Sequence, residues 1–140
     1  MENSFDPHAI EETLYREWES ANWFAPSGDG TPYRSYLYAA DLAEWLITIL
    51  LRGQPGRAYN VGSEEAVSIA ELAACVADVT ASERRDSERP KVTVAKQPEP
   101  GAAATRYVPN CSRAASEVGL VVATPLETAI ARSLRFARRD

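Results

Sequence analysis

Apolar residues recur at helical spacing in five stretches of this sequence, and turn residues separate the stretches. In the first, Ile10, Leu14 and Trp18 lie four residues apart, which places them on one face of a helix. Asp6 followed by a proline is a suitable helix start, and the apolar pattern stops near Ala21. The pattern therefore predicts an N-terminal amphipathic helix.

A second helix is predicted over residues 42–52, where a wide apolar stripe is followed by Gly53 as a stop. Asp41 and Glu44 fit a capping box, in which the first side chain caps the helix and the second bonds back to the cap. The residues expected to face the core are Leu42, Trp45, Leu46, Ile49 and Leu50.

Three further helices are predicted downstream. Ser68 and Glu71 form a second capping box at the start of the third helix, and the fourth, at residues 112–118, ends at Gly119. Thr124 starts the last helix in the same way as Ser68. The side chains expected in the core are Ile69, Leu72, Ala73, Val76 and Val79 of the third helix and Leu126, Ile130 and Leu134 of the last.

Short β-prone runs lie between the helices. Residues 33–38 are rich in aromatic side chains, residues 58–61 are mostly apolar, and residues 91–95 alternate polar and apolar side chains. Residues 80–90 carry many charges and are expected to form a loop. The chain as a whole is predicted to form four or five helices around a few short strands.

Charge is spread unevenly along the chain. The net charge is −5, yet residues 1–30 carry seven acidic residues against Arg16 alone, a balance of −6, whereas residues 31–140 balance at +1. This asymmetry indicates two pieces of different character. No apolar run is long enough to span a bilayer, no secretory signal is visible, and Cys75 and Cys111 cannot form a zinc site. We therefore expect a cytoplasmic protein that binds neither membrane nor nucleic acid.

Residues 28–46 combine a Gly-Asp-Gly-Thr-Pro turn, an aromatic strand that carries Arg34, and a capped helix. This segment resembles the one that follows the catalytic half in extended short-chain dehydrogenase/reductases, the NAD-dependent nucleotide-sugar epimerases and dehydratases. Further motifs follow in that family's order at residues 59–63, 67–73, 106–110, 112–114 and 117–120. The resemblance spans residues 28–140 and implies a small α/β fragment of four to five helices, derived from the C-terminal, substrate-binding part of an extended Rossmann-type fold.

Residues 1–30 are similar to a different family, the valyl-tRNA synthetases, at the extreme N-terminus of those enzymes. The similar segments are residues 5–11, 14–15, 18–19 and 24–26. The ATP signature of the synthetases, an HIGH-type sequence, does not occur here, so aminoacylation is not expected. We expect a chimera, natural or engineered, with its seam near residues 28–33. Its predicted units are an N-terminal amphipathic helical segment, residues 1–27, and an epimerase/dehydratase C-terminal-like domain, residues 28–140.

The sequence lacks the catalytic motifs that the first resemblance requires. That family uses a glycine-rich turn for the cofactor pyrophosphate, and neither G-x-x-G-x-x-G nor G-x-G-x-x-G occurs in the chain. It also uses a tyrosine followed four residues later by a lysine, and none of the six tyrosines meets this condition. We therefore predict no catalytic residue, no metal site and no cofactor; NAD is expected only for the complete parent enzyme.

Two arginines are candidate phosphate contacts for a nucleotide-sugar ligand. The resemblance implies that Arg34 faces the diphosphate, and a guanidinium there or at Arg106 suits a bidentate contact with phosphate. The arginine and acidic residue that the family usually carries around its Pro-Gly turn are replaced here by residues 99–103, Glu-Pro-Gly-Ala-Ala. The alternatives are a structural role for Arg34, stacked on Tyr36 or paired with a carboxylate, and a surface position for Arg106.

Other reactive side chains receive structural interpretations. His8, the only histidine, lies just inside a predicted helix start, and Cys75 lies on an apolar helix as a small core residue. The helix start beside Cys111 is expected to lower the pKa of its thiol, although no histidine or asparagine partner is evident. The tryptophans Trp18, Trp23 and Trp45 are interpreted as core or interface anchors.

These observations favour a non-catalytic, stand-alone fold derived from the substrate-binding half of a nucleotide-sugar epimerase or dehydratase. The alternatives are a weak nucleotide-sugar-binding module and a subunit that completes a split NAD-dependent enzyme. A recombined scaffold without any ligand is a third interpretation. Because the parent fold packs these elements against a larger domain, apolar edges should be exposed, and we expect a homo-oligomer, most simply a dimer.

Overall fold

The computed structural model describes residues 14, 16–17, 20, 28–84 and 88–137. Most of the predicted N-terminal helix, with the assignments made to Asp6, His8, Trp18 and Trp23, lies outside the described residues. The four described residues in that stretch are helical.

Four helices and a small three-stranded sheet make up the described fold, which confirms the predicted α/β class. In chain order the elements are β1 (Tyr33–Arg34), α1 (Ala39–Arg52), β2 (Val67–Ser68), α2 (Ile69–Arg84), β3 (Arg106–Tyr107), α3 (Ser112–Val118) and α4 (Leu126–Phe136). β1 is the central strand, antiparallel to β2 and parallel to β3. None of the described helices is both long and apolar enough to cross a membrane.

The strands are shorter than the sequence pattern predicts, and β2 and β3 lie outside the predicted β-prone runs. Only the first two residues of the 33–38 run pair in the sheet, and the predicted strands at residues 58–61 and 91–95 do not form. At 58–61 side chains replace a partner strand: the Arg113 guanidinium donates to the Ala58 carbonyl oxygen at 2.6 Å, and the Asn60 amide donates to a backbone carbonyl oxygen at 2.9 Å. A β-prone run becomes a strand only where a neighbouring strand completes its backbone hydrogen bonds.

One of the three predicted capping boxes in the described residues forms as expected. The Ser68 hydroxyl accepts from the Glu71 N–H at 3.2 Å, and the Glu71 carboxylate accepts from the Ser68 N–H at 2.8 Å. These bonds hold the start of α2 directly after β2. Helix α2 then continues to Arg84, so it takes up the first part of the loop predicted at residues 80–90.

The capping predictions for Asp41 and Thr124 are wrong. Helix α1 begins at Ala39, which puts Asp41 inside its first turn, and its carboxylate accepts three hydrogen bonds from across the molecule. The donors are the N–H of Ala123 at 3.1 Å, the N–H of Thr124 at 2.8 Å and the Thr124 hydroxyl at 2.8 Å. The residue before α4 is Pro125, whose side chain has no group that could cap the helix, and the Thr124 hydroxyl donates to Asp41 instead. The Asp41 carboxylate therefore bonds to distant residues instead of the nearby N–H groups of its own helix.

The buried core is small and centres on one tryptophan. Trp45 is 3% exposed and packs with Cys111, Ala114 and Leu120, while its indole N–H donates to the Val121 carbonyl oxygen at 3.3 Å. The partly buried residues around this cluster are Leu37, Ile49, Tyr59, Val61 and Val118.

Much of the apolar stripe predicted for the core is exposed on α1. Leu46 is 53% exposed and Leu50 is 82% exposed, and their neighbours Ile47 and Leu51 are also exposed. The core prediction therefore holds for Trp45 and, in part, for Ile49, and is wrong for the rest of this face. The expectation of exposed apolar surface is confirmed here.

The core-facing side of α2 also differs from the pattern. Ala77 and Thr80 are buried, whereas Ile69 and Val76 are exposed. Helix α2 packs against α4, in which Leu126, Ile130 and Leu134 are only partly buried. Leu72, Val76 and Val79 of α2 line open grooves beside α4, so these apolar side chains keep part of their exposure.

The turn at the predicted seam is closely packed against α2. Gly30 has φ of +78°, and its carbonyl oxygen accepts from the Ala70 N–H at 3.0 Å. The Asp29 carboxylate accepts from the N–H and hydroxyl of Thr31 at 3.0 and 2.9 Å. This turn therefore shares hydrogen bonds and packing with the part of the chain that follows it.

Asp41→Asn should lower stability and weaken its dependence on acid pH. Burial alone would raise the pKa of Asp41, but hydrogen bonds from Thr124 and Ala123, with the positive charge of Arg132, outweigh burial and hold that pKa below its ordinary 3.8. A pKa depressed on folding stabilises the fold above the ordinary value, and this contribution is lost as pH falls through the folded value. Leaving buried donors without an acceptor costs about 1–3 kcal/mol.

Urea unfolding at pH 7, 5, 4 and 3 would measure this effect. We expect the wild-type free energy of unfolding to fall more steeply below pH 4 than that of Asp41→Asn. Glu44→Gln is the matched control, because Glu44 is an exposed carboxylate on the same helix. Equal pH dependence in the wild type and Asp41→Asn would contradict the assignment.

Gly30→Ala should destabilise the protein more than Gly101→Ala. Both glycines have positive φ, +78° and +82°, so both variants carry a backbone strain of about 1–2 kcal/mol. At Gly30 an added Cβ would also meet the Ala70 Cβ at 2.9 Å, whereas at Gly101 nothing lies within 4 Å. Overpacking adds about 1–3 kcal/mol, and thermal or urea unfolding measures the difference. Equal losses would show that the turn does not pack against α2 as described.

Candidate functional site

The two faces of the small sheet carry different side chains. β1 pairs with β3 in the register Tyr33↔Arg106 and Arg34↔Tyr107, and with β2 in the register Tyr33↔Ser68. Paired residues of neighbouring strands point to the same face, and successive residues point to opposite faces. One face therefore carries Ser68, Tyr33 and Arg106. The other, which we call the Arg34 face, carries Val67, Arg34 and Tyr107.

Arg34 is half-buried and has no carboxylate partner within the described part of the chain. Its Nη1 donates to the Tyr33 carbonyl oxygen at 2.7 Å, which leaves the other N–H groups of the guanidinium available. Neither structural alternative, stacking on Tyr36 or pairing with an acid, is found among these residues. A partly desolvated guanidinium without a counter-charge favours an anionic ligand.

Arg106 lies on the neighbouring strand but on the opposite face of the sheet. Its Cζ lies 5.8 Å from the centre of the Tyr33 ring, a cation–π contact at an exposed position. The structure therefore brings the two candidate arginines into adjacent strands without directing their side chains to one point. The contact with Tyr33 agrees with the surface interpretation of Arg106.

The Pro-Gly turn at residues 99–103 adds no second cation to the site. It is an exposed turn in which the Ala102 N–H donates to the Glu99 carbonyl oxygen at 3.1 Å, and Gly101 has φ of +82°. The Arg34 face thus relies on one guanidinium for any contact with phosphate.

A separate apolar cavity of about 500 Å³ lies between α2, α4 and the segment that joins β1 to α1. Its lining includes Tyr36, Tyr38, Leu72, Ile130 and Leu134, and the described lining residues carry no charge. The cavity therefore offers neither an acid–base pair nor a phosphate contact. The cavity could not be predicted from the sequence, because it arises from packing between segments that are distant along the chain.

The structure corrects the expectation for Cys111. Its backbone N–H donates to the Glu64 carboxylate at 2.6 Å, and its side chain is 5% exposed. Burial and the negative charge of Glu64 raise the pKa of the Cys111 thiol rather than lowering it. Burial also raises the pKa of Cys75, with Glu127 and Asp78 adding to the effect. Neither thiol has the low pKa of a nucleophilic cysteine.

Metal binding has no evident site in the residues that the structure describes. Within them, no group of three histidine, cysteine, aspartate or glutamate side chains is arranged to hold an ion. The His8 side chain lies outside the described residues.

Sequence comparisons place this chain beside two groups of proteins. The sequence model of the NAD dependent epimerase/dehydratase family matches residues 3–62. Mouse dTDP-D-glucose 4,6-dehydratase is 44% identical over 46 residues, which cover 33% of this chain and 13% of that enzyme. Valine–tRNA ligase of Xanthomonas campestris pv. campestris is 52% identical over 33 residues, which cover 24% of this chain and 4% of the ligase.

Solved structures with a similar fold include three proteins with bound nucleotides. RMD from Pseudomonas aeruginosa, complexed with NADPH, has a TM-score of 0.63 at 20% identity over 79% of this chain. WbmF from Bordetella bronchiseptica, with NAD+ and UDP, has a TM-score of 0.60 at 20% identity over 81% of it. UDP-glucose 4-epimerase from Thermotoga maritima, with UDP-glucose, has a TM-score of 0.60 at 19% identity over 80% of it.

This chain has the fold of part of a Rossmann-type epimerase or dehydratase, and its residues 3–62 match the sequence model of the NAD dependent epimerase/dehydratase family. The match covers only 33%, 31% and 33% of the three solved proteins. The structural matches, which cover 79–81% of this chain, confirm the resemblance inferred from residues 28–140. The family match begins at residue 3, so it extends across the predicted seam, and the boundary between residues 27 and 28 stays a prediction.

Proposed function

We propose that this chain is a non-catalytic unit derived from the substrate-binding half of a nucleotide-sugar epimerase or dehydratase. We further propose that it retains weak affinity for a nucleotide diphosphate at Arg34. The observation that carries the binding proposal is the half-buried guanidinium of Arg34, which has no acidic partner among the described residues.

The chemistry of the related enzymes supports an anionic ligand. Two of the similar structures contain UDP or UDP-glucose, and both ligands carry a diphosphate. A guanidinium in a half-buried position interacts with phosphate more strongly than a fully solvated one, because water screens it less. The Arg34 face is the part of the sheet that offers such a group.

The absence of the two catalytic motifs supports the non-catalytic part of the proposal. No tyrosine in the chain is followed four residues later by a lysine, and no glycine-rich dinucleotide motif occurs. Without these groups the chain has no evident proton donor for the family's chemistry and no pyrophosphate cradle. NAD binding is accordingly not part of the proposed function.

We also propose that the exposed face of α1 pairs with a second copy of this chain. The face is formed by Leu46, Ile47, Leu50 and Leu51, which are between 53% and 82% exposed, and the exposed Glu44 lies at its edge. In an antiparallel two-fold pairing whose axis passes at the level of Thr48 along the helix, Leu46 of one copy would face Leu50 of the other. An apolar face is compatible with itself, which favours a second copy over a charged partner.

We also propose that the chain is a fusion, in which the N-terminal segment and the rest of the chain come from two different families. The similarity to valine–tRNA ligases and the acidic balance of residues 1–30 support a foreign origin for the N-terminal segment. The close packing of the turn at Gly30 against α2 supports a boundary on the N-terminal side of that turn.

Arg34→Ala should abolish measurable binding of UDP-glucose or a dTDP-sugar. A hydrogen-bonded charge pair contributes about 1.5–3 kcal/mol, so its loss weakens binding by roughly tenfold or more. Isothermal titration calorimetry of the full chain measures this. Arg106→Ala is the matched control, because that arginine lies on the adjacent strand but the opposite face, and it should bind as the wild type does. Equal heats from the wild type and Arg34→Ala would overturn the assignment of Arg34.

Leu50→Glu should shift the protein from dimer to monomer. A carboxylate at the centre of the α1 face would place two negative charges in an apolar contact, which is strongly unfavourable. Light scattering across the micromolar range measures the mass in solution. Val94→Glu is the control, since Val94 is 46% exposed outside α1. A wild-type monomer throughout this range would refute the proposed dimer.

A further inference from the structure

We infer that Tyr107 stacks on the base of the nucleotide whose diphosphate contacts Arg34. This inference rests on the proposed function and specifies its ligand class as a nucleoside diphosphate. Tyr107 lies in β3 directly opposite Arg34 in the strand register, so both side chains belong to the Arg34 face. The Tyr107 side chain is 78% exposed, which leaves its ring open to a ligand.

The other tyrosines near the sheet differ from Tyr107 in their ring contacts. Arg106 lies over the ring of Tyr33 at 5.8 Å, and Arg132 lies over the ring of Tyr38 at 5.7 Å. No described cation covers the ring of Tyr107, although Arg34 is its neighbour in the register. Arg34 instead donates to the Tyr33 carbonyl oxygen, so the guanidinium and the open ring are separate groups on one face.

The spacing of these two groups suits a nucleoside diphosphate. Adjacent strands lie about 5 Å apart, so the two side chains leave the sheet as close neighbours. An aromatic ring binds any base through its π-face, and a guanidinium binds phosphate through paired N–H groups. One ligand that carries both a base and a diphosphate can contact both residues, whereas a free diphosphate can use only Arg34.

Titration of the full chain with UDP and with inorganic pyrophosphate separates the two contacts. We expect Tyr107→Ala to weaken UDP binding by roughly tenfold, as the loss of one stacked base does, and to leave pyrophosphate binding unchanged. Tyr107→Phe keeps the ring and should bind UDP as the wild type does. Arg34→Ala should weaken both ligands.

Phe136→Ala is the matched control, since Phe136 is a similarly exposed aromatic residue, 74% exposed, at the end of α4. It should not affect either ligand, and far-ultraviolet circular dichroism would verify that each variant is folded. Unchanged UDP binding in Tyr107→Ala, with binding still lost in Arg34→Ala, would overturn the stacking inference and leave the proposed function standing. Failure of the wild type to bind either ligand would overturn both.

Discussion

The arrangement of the helices depends on the hydrogen bonds that the buried Asp41 carboxylate accepts. It lies in the first turn of α1 and accepts three hydrogen bonds from Ala123 and Thr124, which are more than 80 residues away along the chain. A carboxylate that is 6% exposed is tolerated only when such donors compensate for lost hydration. These bonds fix the start of α4 beside the start of α1. They therefore also set the distance between two walls of the apolar cavity.

The sheet depends on its surroundings because its strands are only two residues long. Strands of this length do not form a stable sheet on their own. The Ser68–Glu71 capping box holds β2 against the start of α2, and the Tyr33 N–H donates to the Thr105 carbonyl oxygen at 2.8 Å beside β3. The Gly30 carbonyl oxygen accepts a further hydrogen bond from the Ala70 N–H at 3.0 Å. The helices and the turn therefore hold the three strands in place. They also determine where the residues of the Arg34 face lie.

Local signals predicted the helices well and the strands and core poorly. The capping box at Ser68, the stop at Gly119 and the helical periodicity depend on residues a few positions apart, so they can be recognised from the sequence. The partners of Asp41 lie on a distant segment, and a local capping rule therefore gave the wrong donor. The exposed leucines of α1 follow the pattern of a buried stripe, because periodicity records which face is apolar and not what covers it. The Arg34 site was predicted from a resemblance, but the opposite orientation of Arg106 required the strand register.

The structure also limits how tightly the Arg34 face can bind a diphosphate. One hydrogen-bonded guanidinium contributes about 1.5–3 kcal/mol, and one stacked base contributes about 1–3 kcal/mol. Together these contribute about 2.5–6 kcal/mol, a range centred near the roughly 4 kcal/mol that corresponds to a millimolar dissociation constant. Residues 99–103 provide no second cation, and Arg106 is directed to the other face. Tight binding of a diphosphate therefore requires a further positive charge beside Arg34, which neither of these two segments supplies.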